Sequence, residues 1–188
     1  MEKNKIDQLL ELRSSVIKDI YEKRWQEVWF FPSYEKNPEI QEVKGYLGTD
    51  TIFFVSINPS SGAYPTKNDI SYYRSLKDHD FSNAHLTDCF KIKKIDNTDV
   101  FKKEEYIWEA IQILNQEISI INPKMIVLLG GEAQKFFKNH HAKIKYAGKV
   151  RPISHYSQRI PRYSHQFTEE MQDIRNEYNN ITNLIYRK

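Results

Sequence analysis

The sequence predicts a three-layer α/β/α domain with a largely parallel central sheet, and three observations carry that expectation. Two short apolar runs, Ile52–Ile57 and Met125–Leu129, are rich enough in β-branched and aromatic residues to be strands buried on both faces. Each run stops at a turn: Asn58-Pro59-Ser60-Ser61-Gly62 after the first, Gly130-Gly131 after the second. Stretches of helical periodicity precede, separate and follow them, as in alternating α/β chains. At 188 residues the chain is read as one domain with room for a proper core. An N-terminal helix and loop (1–48) precede a motif-bearing core (51–160), and a C-terminal helix (168–188) closes the chain.

Taken in order, Ile6, Leu9, Leu10, Leu12, Val16, Ile20 and Trp25 recur near helical spacing and predict a helix from about 6 to 29, stopped by Pro32. Residues 31–48, with Pro32, Pro38, Gly45 and Gly48, read as loop. The first buried strand follows. The segment 60–83 shows little regular periodicity, although it holds Tyr64, Tyr72, Tyr73 and Phe81. Residues 84–92 read as a short strand with Asp88 in its middle, where an acid among apolar neighbours is costly unless it is paired or used. A helix from about 102 to 118 has an apolar stripe of Tyr106, Ile107, Ala110, Ile111 and Leu114, and its acidic first turn suits the helix dipole. After the second buried strand, a helix is expected over 133–138. A basic loop spans 150–161, and the last helix, 168–186, carries Ile174, Tyr178, Ile181 and Ile185 on one face.

Composition narrows the function. The single cysteine, Cys89, excludes an internal disulfide and any four-cysteine zinc or iron–sulfur site. The histidines have no metal-ligand spacing with carboxylates or with Cys89, so neither metal nor cofactor is expected. No apolar run approaches membrane-spanning length, and the first residues lack the apolar core of a secretory signal. A cytoplasmic protein, most simply a monomer, is therefore expected. Net charge is only +3, yet its distribution is uneven. No Asp or Glu occurs from Ala133 to Thr168, a stretch that holds Lys135, Lys138, Lys143, Lys145, Lys149, Arg151, Arg159 and Arg162. Positive charge interleaved with Tyr146, Tyr156 and Tyr163 is the pattern of a phosphate-tracking surface and points to a nucleic acid as partner.

Three motifs then stand in order. Ser56-Ile57-Asn58-Pro59 ends the first strand, Thr87-Asp88-Cys89-Phe90-Lys91 lies at the second, and His155-Tyr156-Ser157 lies in the basic loop. They resemble, respectively, the Gly-Ile-Asn-Pro-Gly, Thr-Asn-x-x-Lys and His-Pro-Ser motifs of the uracil-DNA glycosylase superfamily. Asn122–Gly130 is similar to that family's strand before the last motif. The first motif is closest to the mismatch-specific uracil/thymine branch, the third to His-containing branches.

The resemblance implies an enzyme that flips a base out of DNA and hydrolyses its N-glycosidic bond without lyase chemistry. Asn58 would orient the attacking water, because an amide is too weak a base to deprotonate it, and a modest rate follows. His155 would donate to the base carbonyl that becomes anionic as the bond breaks. Tyr64, Tyr72 or Tyr73 would stack on the extruded base. Ser60 and Ser61 would touch DNA, Ser157 would pinch its backbone, and Arg159 or Ile160 would fill the vacated stack. Arg162 would add a phosphate contact.

Asp88 departs from the family's Asn, and three readings stay open. An ionised carboxylate only accepts hydrogen bonds, so it would repel uracil O4 but accept from the exocyclic amine of a cytosine derivative. Burial would instead raise its pKa, so that the protonated acid mimics the amide. Alternatively, Asp88 pairs with Lys91 or Lys93 and meets no base. The readings of function are accordingly an enzyme acting on cytosine-type or modified bases, such as those of viral DNA, a repair enzyme for uracil or mismatched thymine, and a catalytically idle member of the fold that binds nucleic acid.

Overall fold

The computed structural model of the chain describes residues 4–16, 41–59, 66–91, 102–156 and 161–183, with the backbone alone for 161–164. Its elements are α1 (Lys5–Ser15), a 3-10 turn (Gly45–Leu47), β1 (Ile52–Ser56), α2 (Lys67–Asp78), β2 (His85–Asp88), α3 (Glu104–Ile121), β3 (Met125–Leu129), α4 (Gly130–His140), β4 (Lys149–Ile153) and α5 (Pro161–Asn183).

The strands form a four-stranded sheet in the order β2-β1-β3-β4, with every neighbouring pair parallel. Strand alternation sorts the apolar side chains into two cores. Phe53 and Val55 of β1 with Ile126 and Leu128 of β3 pack against Leu9 and Leu12 of α1, Ile111 and Leu114 of α3, and Phe136 of α4. Phe54, Leu86, Val127 and Ile153 point the other way, onto Tyr72, Tyr73 and Leu76 of α2 and Met171 and Ile174 of α5. The expected three layers follow from this sorting. The chain leaves β1 toward β2 on one side and returns to β3 on the other, so the β1/β3 gap is the topological switch point, where open α/β sheets bind ligands.

Local chemistry sets the boundaries. Thr66 caps α2 by accepting from Asp69 N (3.2 Å), while Asp69 Oδ2 accepts from Thr66 N (2.8 Å), a reciprocal capping box. Asn122, left-handed at φ 53°, ends α3. Gly48 is required by a close approach, since a Cβ there would lie 1.9 Å from the Ala84 carbonyl oxygen.

Several boundaries differ from expectation. The aperiodic segment 60–83 contains α2, whose buried side chains are flanked by polar ones over only 12 residues. The predicted loop 150–161 contains most of β4. As an edge strand, β4 buries only Ile153, so it has no apolar run, and its edge position tolerates Pro152. Asp88 stands at the end of β2 rather than in its middle. Helix α4 begins at Gly130 instead of 133, and α5 at Pro161 instead of 168, proline being well suited to a first helical turn. The long first helix is seen as α1, and its expected continuation over 17–29 lies outside the described residues.

Candidate active site at the carboxyl edge of the sheet

All three motifs and the β3–α4 turn emerge at the same sheet edge. Asn58 follows β1, Asp88 ends β2, Gly130 follows β3 and His155 follows β4. Backbone bonds extend the β1–β2 pairing past the strands. Cys89 N donates to Ser56 O (2.8 Å) and Phe90 N to Ile57 O (3.0 Å), which ties the first two motifs together.

Alternation along β1 and β2 turns Ser56 and Asp88, which are register partners, toward the α2/α5 layer. Asp88 is 2 % exposed, and its Oδ1 has no hydrogen-bond partner among the described residues. Burial pushes its pKa up to about 8; the Lys91 ammonium opposes the rise, and the Glu117 and Asp69 carboxylates add to it. Ser56 Oγ and Tyr72 Oη are likewise buried without hydrogen-bond partners among the described residues, and Asp88 adds to the effect of burial in raising the Tyr72 phenol. A group of unsatisfied polar atoms beside a strand end is costly to folding. Such a group is what a polar ligand edge would complete.

Lys91 does not pair with the Asp88 carboxylate, which overturns the Lys91 form of the third reading. Its ammonium reaches the opposite face, lying 2.9 Å from Glu117 and also bonding Thr87 Oγ1 and the Asp88 backbone carbonyl. Thr87 Oγ1 donates to Glu117 as well (3.1 Å). Lys93 lies outside the described residues.

His155 rests on the β3–α4 turn. A Cβ on Gly130 would come within 2.9 Å of His155 Cβ, and Gly130 has φ +80°, so glycine is demanded twice over. The imidazole stacks on the Tyr156 ring at 4.4 Å and 24°, and Tyr156 in turn stacks on Tyr72 at 4.4 Å and 7°. Burial lowers the His155 pKa, and Asp69 partly opposes it, so the ring is a neutral donor near neutrality. Half-buried Asn58 donates its amide to Pro59 O (2.8 Å), leaving its oxygen as the atom able to orient a water.

Placement of the other expected residues is uneven. Tyr73 is 0 % exposed, inside the core, and has no face for a base. Tyr72 is 1 % exposed, covered on one face by Tyr156 and packed against Tyr73 and Phe167, so it too has no face for a base. Tyr64, Ser60, Ser61, Ser157, Arg159 and Ile160 lie outside the described residues, and of Arg162 only the backbone, in α5, is described. Part of the basic stretch is neutralised. Lys149 pairs with Glu177 of α5, and Arg151 Nε lies 3.0 Å from the same carboxylate, an ion pair without an aligned hydrogen bond. Lys135, Lys138, Lys143 and Lys145 are exposed. A concavity of about 590 Å³ between α3 and the end of α4, lined by Lys102, Trp108 and His140 among others, includes none of the motif residues. Among the described residues no three His, Cys, Asp or Glu side chains gather as a metal site, and no helix is long and apolar enough to cross a membrane.

Sequence reasoning missed Asp69 and underrated Tyr156. The Thr66-x-x-Asp69 spacing was the available sign, a capping-box pattern that marks a helix start and, with it, a buried acid. A family model described as the uracil DNA glycosylase superfamily matches residues 44–179. No curated protein matches the chain.

Proposed function

The chain belongs to the uracil-DNA glycosylase superfamily, and from that premise we propose that it is a monofunctional DNA glycosylase that extrudes a cytosine-type or modified base and hydrolyses its N-glycosidic bond. The observation that carries the base choice is the buried Asp88 carboxyl, one oxygen of which, like the hydroxyls of its register partner Ser56 and of Tyr72, has no hydrogen-bond partner among the described residues. Exocyclic amines are the natural donors for such an acceptor. Asn58 holds the water, and the neutral His155 imidazole donates to the departing carbonyl oxygen. Both groups act on a bond whose breaking leaves positive charge on the sugar and negative charge on the base. An activity on altered cytosines would direct the enzyme at viral DNA that carries them.

The raised pKa of Asp88 favours a second reading, uracil or mismatched thymine as substrate. Below about pH 8 the protonated acid has one donor and one acceptor, as an amide does, and matches O4 and N3–H of uracil. The two readings separate with pH. Uracil release should collapse as Asp88 ionises, because the carboxylate repels O4, whereas release of an amine-bearing base keeps its acceptor.

The test is mass-spectrometric detection of free base from duplexes carrying uracil, mismatched thymine or modified cytosines, below and above about pH 8. Release of modified cytosine that is lost in Asn58→Ala and His155→Ala, with DNA binding retained, supports the proposal. Robust uracil release with none from modified cytosine refutes the base choice. Binding without release from any duplex would instead identify an inactive nucleic-acid-binding member of the fold.

A further inference from the structure

We propose that Tyr156 and Asp69 are positioning residues that hold the His155 imidazole against Gly130, so that the third motif is aimed by helix α2 rather than by its own loop. This rests on the reading of His155 as the donor to the departing base.

The residues on both sides of His155 are tethered by side chains from separate helices. Ile153 O accepts from Gln134 Nε2 of α4 (3.1 Å), and Ser154 N donates to Glu170 Oε2 of α5 (2.8 Å). Tyr156 Oη donates to Asp69 Oδ1 of α2 (3.1 Å). Asp69 Oδ2 is already committed to the α2 cap through Thr66 N and Thr66 Oγ1, both at 2.8 Å. One buried carboxylate therefore starts a helix and fixes the tyrosine of the motif. The ring bound at its tip lies flat between Tyr72 and the imidazole. With Gly130 as floor and Tyr156 as cover, the histidine ring has little room to turn. A donor must be aligned before charge develops, and small misplacements are expensive in rate.

Tyr156 stands where the resembled motif has proline. Proline would stiffen the backbone from within. Tyrosine achieves the same restraint from outside, through stacking and a charge-assisted bond.

The test follows the His155 imidazole C–H resonances by NMR through a pH titration, assigned against His155→Gln, in the native protein and in Tyr156→Phe, Tyr156→Ala and Asp69→Asn. Asp69 of α2 is the charged group that acts on the ring and the Tyr156 phenol carries the ring stacked on it; Asp88 of β2 and the Tyr72 phenol act on Tyr156, and Glu170 of α5 holds the preceding backbone N–H. Tyr156→Ala should lose the upfield ring-current shift and raise the His155 titration midpoint toward that of an exposed histidine. Tyr156→Phe keeps the covering ring but loses the bond to Asp69, so its ring-current shift should fall between native and Tyr156→Ala; Asp69→Asn also removes the charge that raises the His155 midpoint, so there the ring-current shift alone is read, and it should be reduced likewise. Base release, assayed on the duplex the native enzyme cleaves, should fall by on the order of 10²-fold in kcat with KM little changed in Tyr156→Ala, and by less in Tyr156→Phe. Unchanged His155 shifts and midpoint in folded Tyr156→Ala would overturn the proposal. If Tyr156→Ala does not fold, native His155 ring-current shifts in Tyr156→Phe, which cannot make the bond to Asp69, overturn it equally. Absence of release from the native protein would refute the glycosylase reading while the NMR result still decides the clamp.

Discussion

Thr87 and Asp88 are neighbours on β2 that face opposite layers, and the buried carboxyl groups on the two sides, Glu117 against Thr87 and Asp88 itself, have opposite fates. On the α3 side, Glu117 is buried but receives the Lys91 ammonium and the Thr87 hydroxyl. Burial pushes its pKa up while Lys91 and Thr87 pull it back. On the α2 side, Asp88 is buried with Oδ1 unpartnered among the described residues, the Lys91 ammonium having been turned away to the other face. A paired buried acid serves the fold. An orphaned one at the carboxyl edge weakens the fold, and such groups persist where they meet a ligand. The difference lies in partners, since burial is nearly the same.

The comparison can be broken first on the paired side. Lys91→Met alone should leave Glu117 as an uncompensated buried acid and cost ~3–5 kcal/mol in urea unfolding, whereas Lys91→Met with Glu117→Leu should recover much of that loss. Equal losses in the single and double variants would show that the pair is not a unit. Next comes Asp88. Its folded pKa, about 8, lies above the unfolded carboxylate value, so its contribution is full at low pH and declines as pH rises through the folded pKa. The decline should approach about 1.4 kcal/mol per pH unit between those values and level off above the upper one. Asp88→Asn should flatten that dependence and be more stable than native in alkaline solution, by a few kcal/mol at most. A native slope retained in Asp88→Asn would assign it to another group.

Gly130→Ala is expected to cost about 1–2 kcal/mol, from the left-handed backbone and the crowding of His155, and to impair base release more than stability. The smallest effect on stability belongs to Asn58→Ala, within about 0.5 kcal/mol, because among the described residues the amide bonds just the adjacent Pro59 carbonyl. Base release should nevertheless be lost. An Asn58→Ala protein that unfolds readily would mean that this residue belongs with Glu117, on the structural side of the comparison.

Much of the central sheet was legible because buried parallel strands are nearly continuous apolar runs, as in β1 and β3. Edge strand β4 was not, since Lys149, Val150 and Pro152 face outward and give no run to read. Helix α2 escaped because its apolar face is short and built of tyrosines, and its clearest sign was a cap. The motif positions Asn58, Asp88 and His155 stood out individually in the sequence. What each side chain touches did not: nothing in the order of residues says that Lys91 crosses to Glu117, or that Tyr156 reaches back to Asp69.

By itself the sequence determined the layered α/β architecture, the family and the identity of the groups at the sheet edge, because periodicity, turn chemistry and motif order are local properties of the chain. Tertiary structure alone decided which carboxyl group is paired and which has an oxygen without a partner among the described residues. That choice depends on which face of a strand each side chain leaves from and on what a distant helix brings there. Those are relations across space that no local pattern encodes.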